Sequence, residues 1–386
     1  MSLIYLDNQA TTPLDPRVWQ IMAPLYREKF GNPGSIDTAR GQAAAAHIET
    51  ARAQIAAAVG ADPREIIFTS GATEANNLAL KGAMDVQAQK GRPRMLAFAT
   101  EHKCVLETAK ALKDKGLEIE ILPVQSDGLI DIGALEARMD ARVGLISAMA
   151  VHNEIGVIQN IQALGELSAR YGAIFHCDMA QALGKIPIDL RELSVGLASF
   201  SAHKAYGPAG VGALYVRRRP KVHLRPLFHG GGQERGLRSG TLPLALIAGF
   251  GAAAHWAAQD LEADLLRLWD FRAQILACVD RHAPLHLNGH RDQRVPGNLN
   301  LYFQGVEPAR IRKGLTDFEV SRGSACSAED LAPSYVLTAL GLNQEAARRS
   351  LRLSLGRFTT QGEVEALCAA LDRVAKAFLP KGGSTK

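Results

Sequence analysis

Apolar and amphipathic segments alternate along the chain between about residue 50 and residue 220. Short apolar runs predict strands at 65–69, 95–99, 118–122, 143–150, 173–177 and 212–216. Helical patterns occupy 42–59, 73–89 and 104–115, and a further helix places Ile161, Leu164, Leu167 and Tyr171 on one face. Alternation of strand and helix predicts βαβ units and a mostly parallel sheet, which is the α/β class.

After about residue 255 the pattern changes. A long helical segment at 257–278 precedes a strand-like run at 297–303 and further helices. This predicts a second, smaller α+β domain. The length agrees, because 386 residues are too many for a single ordinary hydrophobic core. We expect a large domain at 15–255, with 1–14 and 256–386 forming the small one.

Composition indicates a globular protein, since 47% of residues are hydrophobic and 22% are charged. The five cysteines are odd in number, widely spaced and without a CxxC pair. That usage argues against a disulfide framework or a structural zinc site and favours a reducing compartment. The first residues lack a signal-peptide pattern, and the apolar stretch 242–258 suits a core helix better than a membrane span. We therefore expect a cytoplasmic protein with no membrane partner.

The net charge is +5, and the densest basic run lies at 217–221. A run of this kind is typical of a solvated turn, so no direct nucleic-acid partner is expected.

Lys204 is the most informative residue, because it follows Ser201 and His203 and lies downstream of Asp178 and Gln181. A lysine able to form a Schiff base, with an upstream acid to hold a pyridinium nitrogen, is the minimum that pyridoxal phosphate requires. Asp178 ends an apolar strand, where the alternative role is to cap the next helix.

A phosphate group needs backbone N–H donors. The segment 70–73 follows a strand and opens a helix, so its amides and the helix dipole favour an anion, although such a turn is also an ordinary helix start. The glycine-rich stretch 230–241 predicts either a second anion-binding loop or a flexible connection. No P-loop pattern is present.

Three further side chains are candidates for chemistry. His102, near a strand end, is placed to shuttle protons over a cofactor ring or has a structural role. Arg352 alternates with apolar residues, which suits either a substrate carboxylate or a salt bridge between domains. Cys326 is the one cysteine in a loop-like setting, where Arg322 would favour a nucleophilic thiolate. Buried apolar roles are expected for the cysteines at 104, 177, 278 and 368.

Taken together, these motifs resemble the cysteine desulfurases, enzymes of the class-V aminotransferase fold, over nearly the whole chain. The motifs are Tyr5 to Pro13, Phe30 to Pro33, Phe68 to Glu74, Glu101 to Lys103, Asn153 to Gly156, His203-Lys204, Glu234 to Gly236, Gly323 to Cys326 and Arg352 to Arg357.

The resemblance implies a large domain of PLP fold type I, similar to aspartate aminotransferase, with a mostly parallel seven-stranded sheet, plus a smaller α+β domain carrying a mobile cysteine loop. It implies a transferase that releases L-alanine from L-cysteine and leaves a persulfide on Cys326. The sulfur would pass to an acceptor or scaffold protein for iron–sulfur cluster assembly or for thio-cofactor and tRNA synthesis.

The resemblance also implies the site residues, with pyridoxal 5'-phosphate as cofactor and no metal. Lys204 would hold the cofactor covalently, Asp178 its ring nitrogen and Gln181 its ring oxygen, while His102 would stack on the ring and act in catalysis. The phosphate would be held by Ala72, Thr73, Ser201 and His203, and by Thr241 from the neighbouring subunit of a homodimer. Asn153 and Arg352 would bind around the cofactor and the substrate carboxylate.

Some positions depart from the family pattern, which often has histidine at Thr38, serine at Arg322 and glycine at Ala202. The chain also ends soon after its last helix, so we do not expect the longer C-terminal segment with which housekeeping members contact a scaffold protein.

Three other functions remain open from the sequence. One is a selenocysteine lyase or related enzyme of the same fold that does not need Cys326. Another is a metal-dependent hydrolase using His176, Asp178 and His102, although their spacing matches no zinc pattern. The third is a non-catalytic scaffold that keeps the fold.

Overall fold

A computed structural model describes residues 3–281, 285–321 and 333–376. The strands are β1 (Ile4–Tyr5), β2 (Ile66–Thr69), β3 (Arg94–Phe98), β4 (Glu118–Leu122), β5 (Val143–Met149), β6 (Ile174–Asp178), β7 (Leu197–Ser201), β8 (Gly212–Val216), β9 (Leu285–Leu287), β10 (Asn298–Phe303), β11 (Phe318–Glu319) and β12 (Ser350–Ser354). The helices are α1 (Pro16–Arg27), α2 (Ala39–Val59), α3 (Ala72–Gln89), α4 (Lys103–Asp114), α5 (Ile132–Glu136), α6 (Ile161–Arg170), α7 (Leu244–Gln259), α8 (Leu261–Val279), α9 (Pro308–Gly314), α10 (Tyr335–Ala339), α11 (Gln344–Arg348) and α12 (Gln361–Lys376).

The central sheet has seven strands in the order β2-β8-β7-β6-β5-β3-β4. The pairs from β7 to β4 are parallel, and β8 runs antiparallel to both of its neighbours. Every residue of β5, β7 and β8 is buried, as expected for strands covered by helices on both faces. The prediction of an α/β fold with a mostly parallel seven-stranded sheet is therefore confirmed.

Helices cover both faces of this sheet. One apolar cluster packs α2, α6 and α7 against it, and a second packs α3 and α4. A separate cluster joins α8 and α12 to the antiparallel strands β9, β10 and β12, and it includes Leu6 from the N-terminal segment. These separate clusters support the two-domain division at 15–255, which stays a prediction.

The sequence pattern did not predict several elements, namely the strands β1, β7, β9 and β11 and the helices α1 and α5. It also placed one helix wrongly. The single helix expected at 257–278 is wrong, because the chain leaves the helical path at Asp260, whose backbone N–H still bonds to Trp256 O at the end of α7. Arg17 holds the Asp260 carboxylate at 2.6 Å, which fixes this break between α7 and α8.

Two departures from the family pattern have clear local roles. Thr38 is the N-cap of α2, and its hydroxyl accepts a hydrogen bond from Gly41 N at 3.0 Å. Ala202 is fully buried at the start of the turn after β7. Arg322 lies outside the described residues. Within the described part of the chain, no helix is long and apolar enough to cross a bilayer.

Candidate active site

A cavity of about 400 Å³ lies at the carboxyl ends of the parallel strands β5, β6 and β7. It brings together ten of the predicted residues, namely Ala72, Thr73, His102, Asn153, Asp178, Gln181, Ser201, His203, Lys204 and Arg352. Thr241 instead lines a second cavity of about 300 Å³. Cys326 lies outside the described residues.

Lys204 ends the short 3-10 turn that follows β7. Its Nζ donates hydrogen bonds to the backbone carbonyls of Gln9, at 2.8 Å, and Ala10, at 2.5 Å. The N-terminal segment reaches this position because Asn8 Nδ2 bonds to Ser354 O at 2.9 Å, which ties the segment to β12. Residues far apart in the chain thus orient the lysine amine at the cavity wall.

Asp178 is the last residue of β6, and its side chain is buried. Asn76 Nδ2 donates to one carboxylate oxygen at 2.8 Å, and Ala180 N donates to the other at 3.0 Å. These two donors fix the orientation of the carboxylate, which suits it to pair with a ring nitrogen.

His102 is the N-cap of α4, and its Nδ1 accepts a hydrogen bond from Cys104 N at 3.2 Å. Because Nδ1 is an acceptor, the neutral ring carries its proton on Nε2. Burial lowers the pKa of His102, with Lys204 and Lys103 acting in the same direction against Asp178. The imidazole is therefore a neutral side chain with Nε2–H as its donor.

Cys104 does not have the buried apolar role expected for it, because its thiol lines the cavity. The thiol lies 3.0 Å from His102 Nδ1 and receives a hydrogen bond from Asn76 Nδ2 at 3.1 Å. Burial raises the pKa of Cys104 to about 12, which keeps the thiol protonated. Asn76 and Cys104 thus connect Asp178 with His102, and the sequence had indicated neither of them.

The first turn of α3 is suited to an anion. Its N-cap is Gly71, so no side chain caps the amides of the helix, and Ser201 and His203 line the same part of the cavity. Burial, with the charges of Lys204 and Lys185, lowers the pKa of His203 to about 4, so its ring is neutral at ordinary pH.

One carboxylate, that of Glu74, also borders this anion-binding turn. Burial opposes its ionisation, but hydrogen bonds from Arg238 Nε, at 2.9 Å, and Ser70 N, at 2.8 Å, outweigh that effect and lower its pKa. The arginine thus neutralises a charge that would otherwise repel a phosphate.

Arg352 makes the salt bridge that was one of its two expected roles. Its Nη2 forms an ion pair with Asp7 at 2.5 Å, and Nη1 donates to Asn153 O at 2.9 Å. The guanidinium therefore joins the N-terminal segment to β12. The residue also lines the cavity, and its role toward a substrate carboxylate stays a prediction.

The glycine-rich stretch lies at the second cavity. Gln233, Glu234 and Arg235 line that cavity together with Thr241. Glu234 is buried and forms a two-bond ion pair with Arg52, each bond 2.8 Å long. The stretch is thus anchored to the protein, and Arg238 connects it to Glu74 at the first cavity.

The metal-dependent alternative has no support in this geometry. The two ring nitrogens of His176 lie 2.8 Å from Ser147 Oγ and 3.1 Å from Ser199 Oγ, which occupies both of them. In the portions of the chain that the structure covers, no group of three His, Cys, Asp or Glu side chains is arranged to hold a metal ion.

The residues present fit pyridoxal phosphate. A primary amine, a fixed buried carboxylate and an uncapped helix N-terminus surround one cavity, and each matches one functional group of the cofactor. Arg352 lines the same cavity, and a guanidinium suits the carboxylate of an amino acid.

Comparison with known proteins agrees with this chemistry. The model of the class-V aminotransferase family matches residues 4–367. Cysteine desulfurase IscS of Rickettsia bellii is 47% identical over 363 residues, which are 94% of this chain and 88% of that protein.

Solved structures give the same picture. A NifS-like protein superposes with a TM-score of 0.89 at 34% identity, covering 97% of this chain and all of that one. SspA in complex with cysteine gives a TM-score of 0.82 at 35% identity, over 92% of this chain and 100% of that structure. The chain therefore belongs to the class-V aminotransferase family and, within it, to the cysteine desulfurases, which depend on pyridoxal phosphate.

Proposed function

We propose that this protein takes sulfur from L-cysteine, releases L-alanine and holds the sulfur as a persulfide on Cys326. The observation that carries the proposal is the convergence of Lys204, Asp178 and Arg352 on one cavity. Their amine, carboxylate and guanidinium match the groups that a cofactor aldehyde, a ring nitrogen and an amino-acid carboxylate require.

Bound pyridoxal phosphate supplies an electron sink for negative charge that develops at the substrate Cα. Lys204 is the residue that holds it covalently. Asp178 would accept a hydrogen bond from the protonated ring nitrogen, and Gln181 would donate one to the ring oxygen. The phosphate is held by Ala72, Thr73, Ser201 and His203.

The substrate is oriented from the opposite wall of the cavity. Arg352 pairs with the carboxylate of L-cysteine, and Asn153 lies beside it because its carbonyl holds the same guanidinium. The Lys204 amine takes the proton from the substrate Cα once the substrate amine has displaced it. His102 acts through Nε2–H above the ring, where a neutral imidazole moves a proton without adding charge.

Sulfur transfer itself is assigned to Cys326. Its thiolate attacks the substrate sulfur, an S–S bond forms, and the C–S bond breaks with its electron pair left on Cβ, which is protonated to give L-alanine. The described residues on either side of the segment that carries Cys326 support this role. Ser321 pairs with the backbone of Arg352, and Tyr335 Oη donates to Glu101 O at 2.8 Å, beside His102.

The setting in the cell is part of the proposal. We infer a cytoplasmic homodimer in which Thr241 of one subunit reaches the phosphate of the other, and an acceptor or scaffold protein that takes the sulfur for iron–sulfur or thio-cofactor synthesis. Two features support the dimer. Thr241 lines a cavity other than the one holding Lys204, and the exposed Tyr26 and Phe30 leave an apolar surface beside it.

The test is to incubate the holoenzyme with L-cysteine and to locate the persulfide by mass spectrometry. We expect it on Cys326, with Cys326→Ala abolishing both the label and L-alanine production in turnover. Cys368→Ala is the matched control, since its thiol lies away from the cavity. Undiminished sulfide release by Cys326→Ala would contradict the assignment and favour a lyase that needs no such cysteine.

A further inference from the structure

A second lysine lies beneath the side chain that we assign to the ring oxygen. Gln181 and Lys185 stand four residues apart in the turn that follows β6, and Lys185 Nζ donates a hydrogen bond to Gln181 Oε1. The turn depends on Gly184, whose φ of 71° is left-handed. A Cβ at that position would also come within 3.0 Å of the Cβ of Ala257.

The contacts of Gln181 define which way its amide faces. Lys185 points its N–H groups at the Gln181 amide, and an N–H group needs an acceptor. The amide atom that faces Lys185 is therefore the oxygen. At the other end, Gln181 Nε2 donates to the backbone carbonyl of Gln9 at 2.8 Å, and a carbonyl only accepts. The reversed amide would lose both hydrogen bonds, so the two partners agree on one orientation.

This orientation decides what Gln181 offers to a ligand. One amide hydrogen is used by the Gln9 carbonyl, which also accepts from Lys204 Nζ at 2.8 Å. The second amide hydrogen remains to be donated to a ligand, because Gln181 lines the cavity together with Lys204 and Asp178. Gln181 therefore presents a donor, and not an acceptor, to an oxygen on the ring.

Within the part of the chain that the structure describes, the hydrogen bond to Gln181 is the polar contact that accounts for the position of Lys185. Among the described residues, no carboxylate lies within salt-bridge distance of its amine, and its pKa is lowered to about 7 by burial together with the charges of Lys204 and Arg352. Lys185 is half-buried and its amine is held at Gln181 without an acid partner, so this contact calls for a functional explanation.

We propose that Lys185 is a positioning residue that holds the Gln181 amide with its N–H toward the ring oxygen of the cofactor. The inference rests on the role proposed above for Gln181. A donor aligned on the ring oxygen opposes protonation of the linkage between Lys204 and the cofactor. Without Lys185 that linkage holds its proton to higher pH.

The experiment is a pH titration of the visible absorbance of the holoenzyme, compared among the wild type, Lys185→Met, Gln181→Ala and the double variant. Methionine keeps the length of the buried stem and removes the charge and the donor. We expect Lys185→Met to raise the apparent pKa of the absorbance change by about one unit, the size of one hydrogen bond to a charged group. Gln181→Ala should raise it as well, and the double variant no further, because Lys185 acts through Gln181.

Controls separate this inference from the proposed function. The exposed Lys110→Met should titrate as the wild type does, and thermal unfolding of each variant checks that it folds. If Gln181→Ala shifts the titration and Lys185→Met does not, or if the two shifts add in full, the positioning role is overturned while the proposed function stands. A wild-type protein without an absorbance that borohydride bleaches would overturn the proposed function and the inference with it.

Discussion

At the scale of single residues, Asn76 contacts the site although the sequence did not single it out. It is fully buried on α3, one turn after Thr73, and its Nδ2 bonds to both Asp178 and Cys104. The first bond helps to fix the Asp178 carboxylate. The second links it through the thiol to His102, so one amide organises the groups on two sides of the cofactor site.

Replacing Asn76 with alanine should therefore weaken cofactor binding. Loss of one hydrogen bond to a charged carboxylate costs about 1.5 kcal/mol or more, so we expect the dissociation constant of pyridoxal phosphate to rise about tenfold. The measurement is an absorbance titration of the apoenzyme with the cofactor. Asn77→Ala is the control from the next position, whose side chain bonds to Thr73 O and to Thr108 Oγ1 and touches neither Asp178 nor Cys104. Equal loss in the two variants would show that Asn76 has no specific role.

The sequence indicated those site residues that stand in local motifs. It did not indicate residues whose contacts join distant parts of the chain. Lys204 and Asp178 stand out because local motifs surround them. Asn76 does not, because its partner Asp178 is 102 positions away, and the bond from Gln181 to Gln9 spans 172 positions. Pairings of that length depend on how the strands assemble, which no local spacing contains.

At the scale of elements, the edge of the central sheet is closed by side chains. Strand β2 is an edge strand, paired only with β8 in the described sheet, so its outer backbone groups need other partners. Glu234 accepts from Phe68 N at 2.7 Å, and Arg52 Nη1 donates to Ile66 O at 2.9 Å. The Glu234–Arg52 ion pair thus replaces a missing neighbouring strand.

Glu234→Gln should for that reason destabilise the protein strongly. The change leaves the buried Arg52 cation with only the exposed Glu49 as anion, and breaking a buried pair from one side typically costs roughly 3–5 kcal/mol. Urea unfolding of the two proteins measures the difference in the free energy of unfolding. The control is Glu118→Gln, which removes an exposed pair with Arg142 and should have a much smaller effect. Similar urea midpoints for both variants would contradict the stabilising role of the Glu234–Arg52 ion pair.

The elements themselves were predicted where apolar periodicity and turn residues agree. Helix α2 ends at Gly60 in the left-handed conformation, and β4 has the bounds that its alternation indicates. Strand β7 escaped prediction because its serines dilute the apolar signal, although all five residues are buried. The break at Asp260 escaped because it depends on Arg17, 243 positions away.

At the scale of the whole molecule, the N-terminal segment meets strand β12 at the site. The N-terminal residues reach β12 through Asp7 and Asn8, and the same stretch supplies the carbonyls that hold Lys204. The apolar cluster built on α8 and α12 takes in Leu6 from this segment, which no hydrophobic pattern within the first residues indicates. The small-domain cluster therefore stabilises the position of groups that act at the edge of the large sheet.

Acid stability of the whole molecule should depend on His176, which is buried between three strands. Burial lowers the pKa of His176 to about 4, whereas an unfolded histidine titrates near 6.5. Between these values the unfolded chain binds the extra proton, so this histidine contributes stability that is present above about pH 6.5 and is lost as pH falls toward about 4. Glu101 and Glu154 act oppositely in an overlapping range, because burial raises their pKa values.

Only a difference between variants isolates the contribution of His176. We expect the free energy of unfolding in urea to fall with decreasing pH less steeply in His176→Asn than in the wild type, by nearly one proton over this range. The exposed His229→Asn should keep the wild-type pH dependence. The Ser147 and Ser199 hydroxyls lie at the two ring nitrogens, so the imidazole bridges β5 and β7 across β6, and it is burial that opposes its protonation. A slope that His176→Asn leaves unchanged would mean that water reaches this histidine in the folded protein.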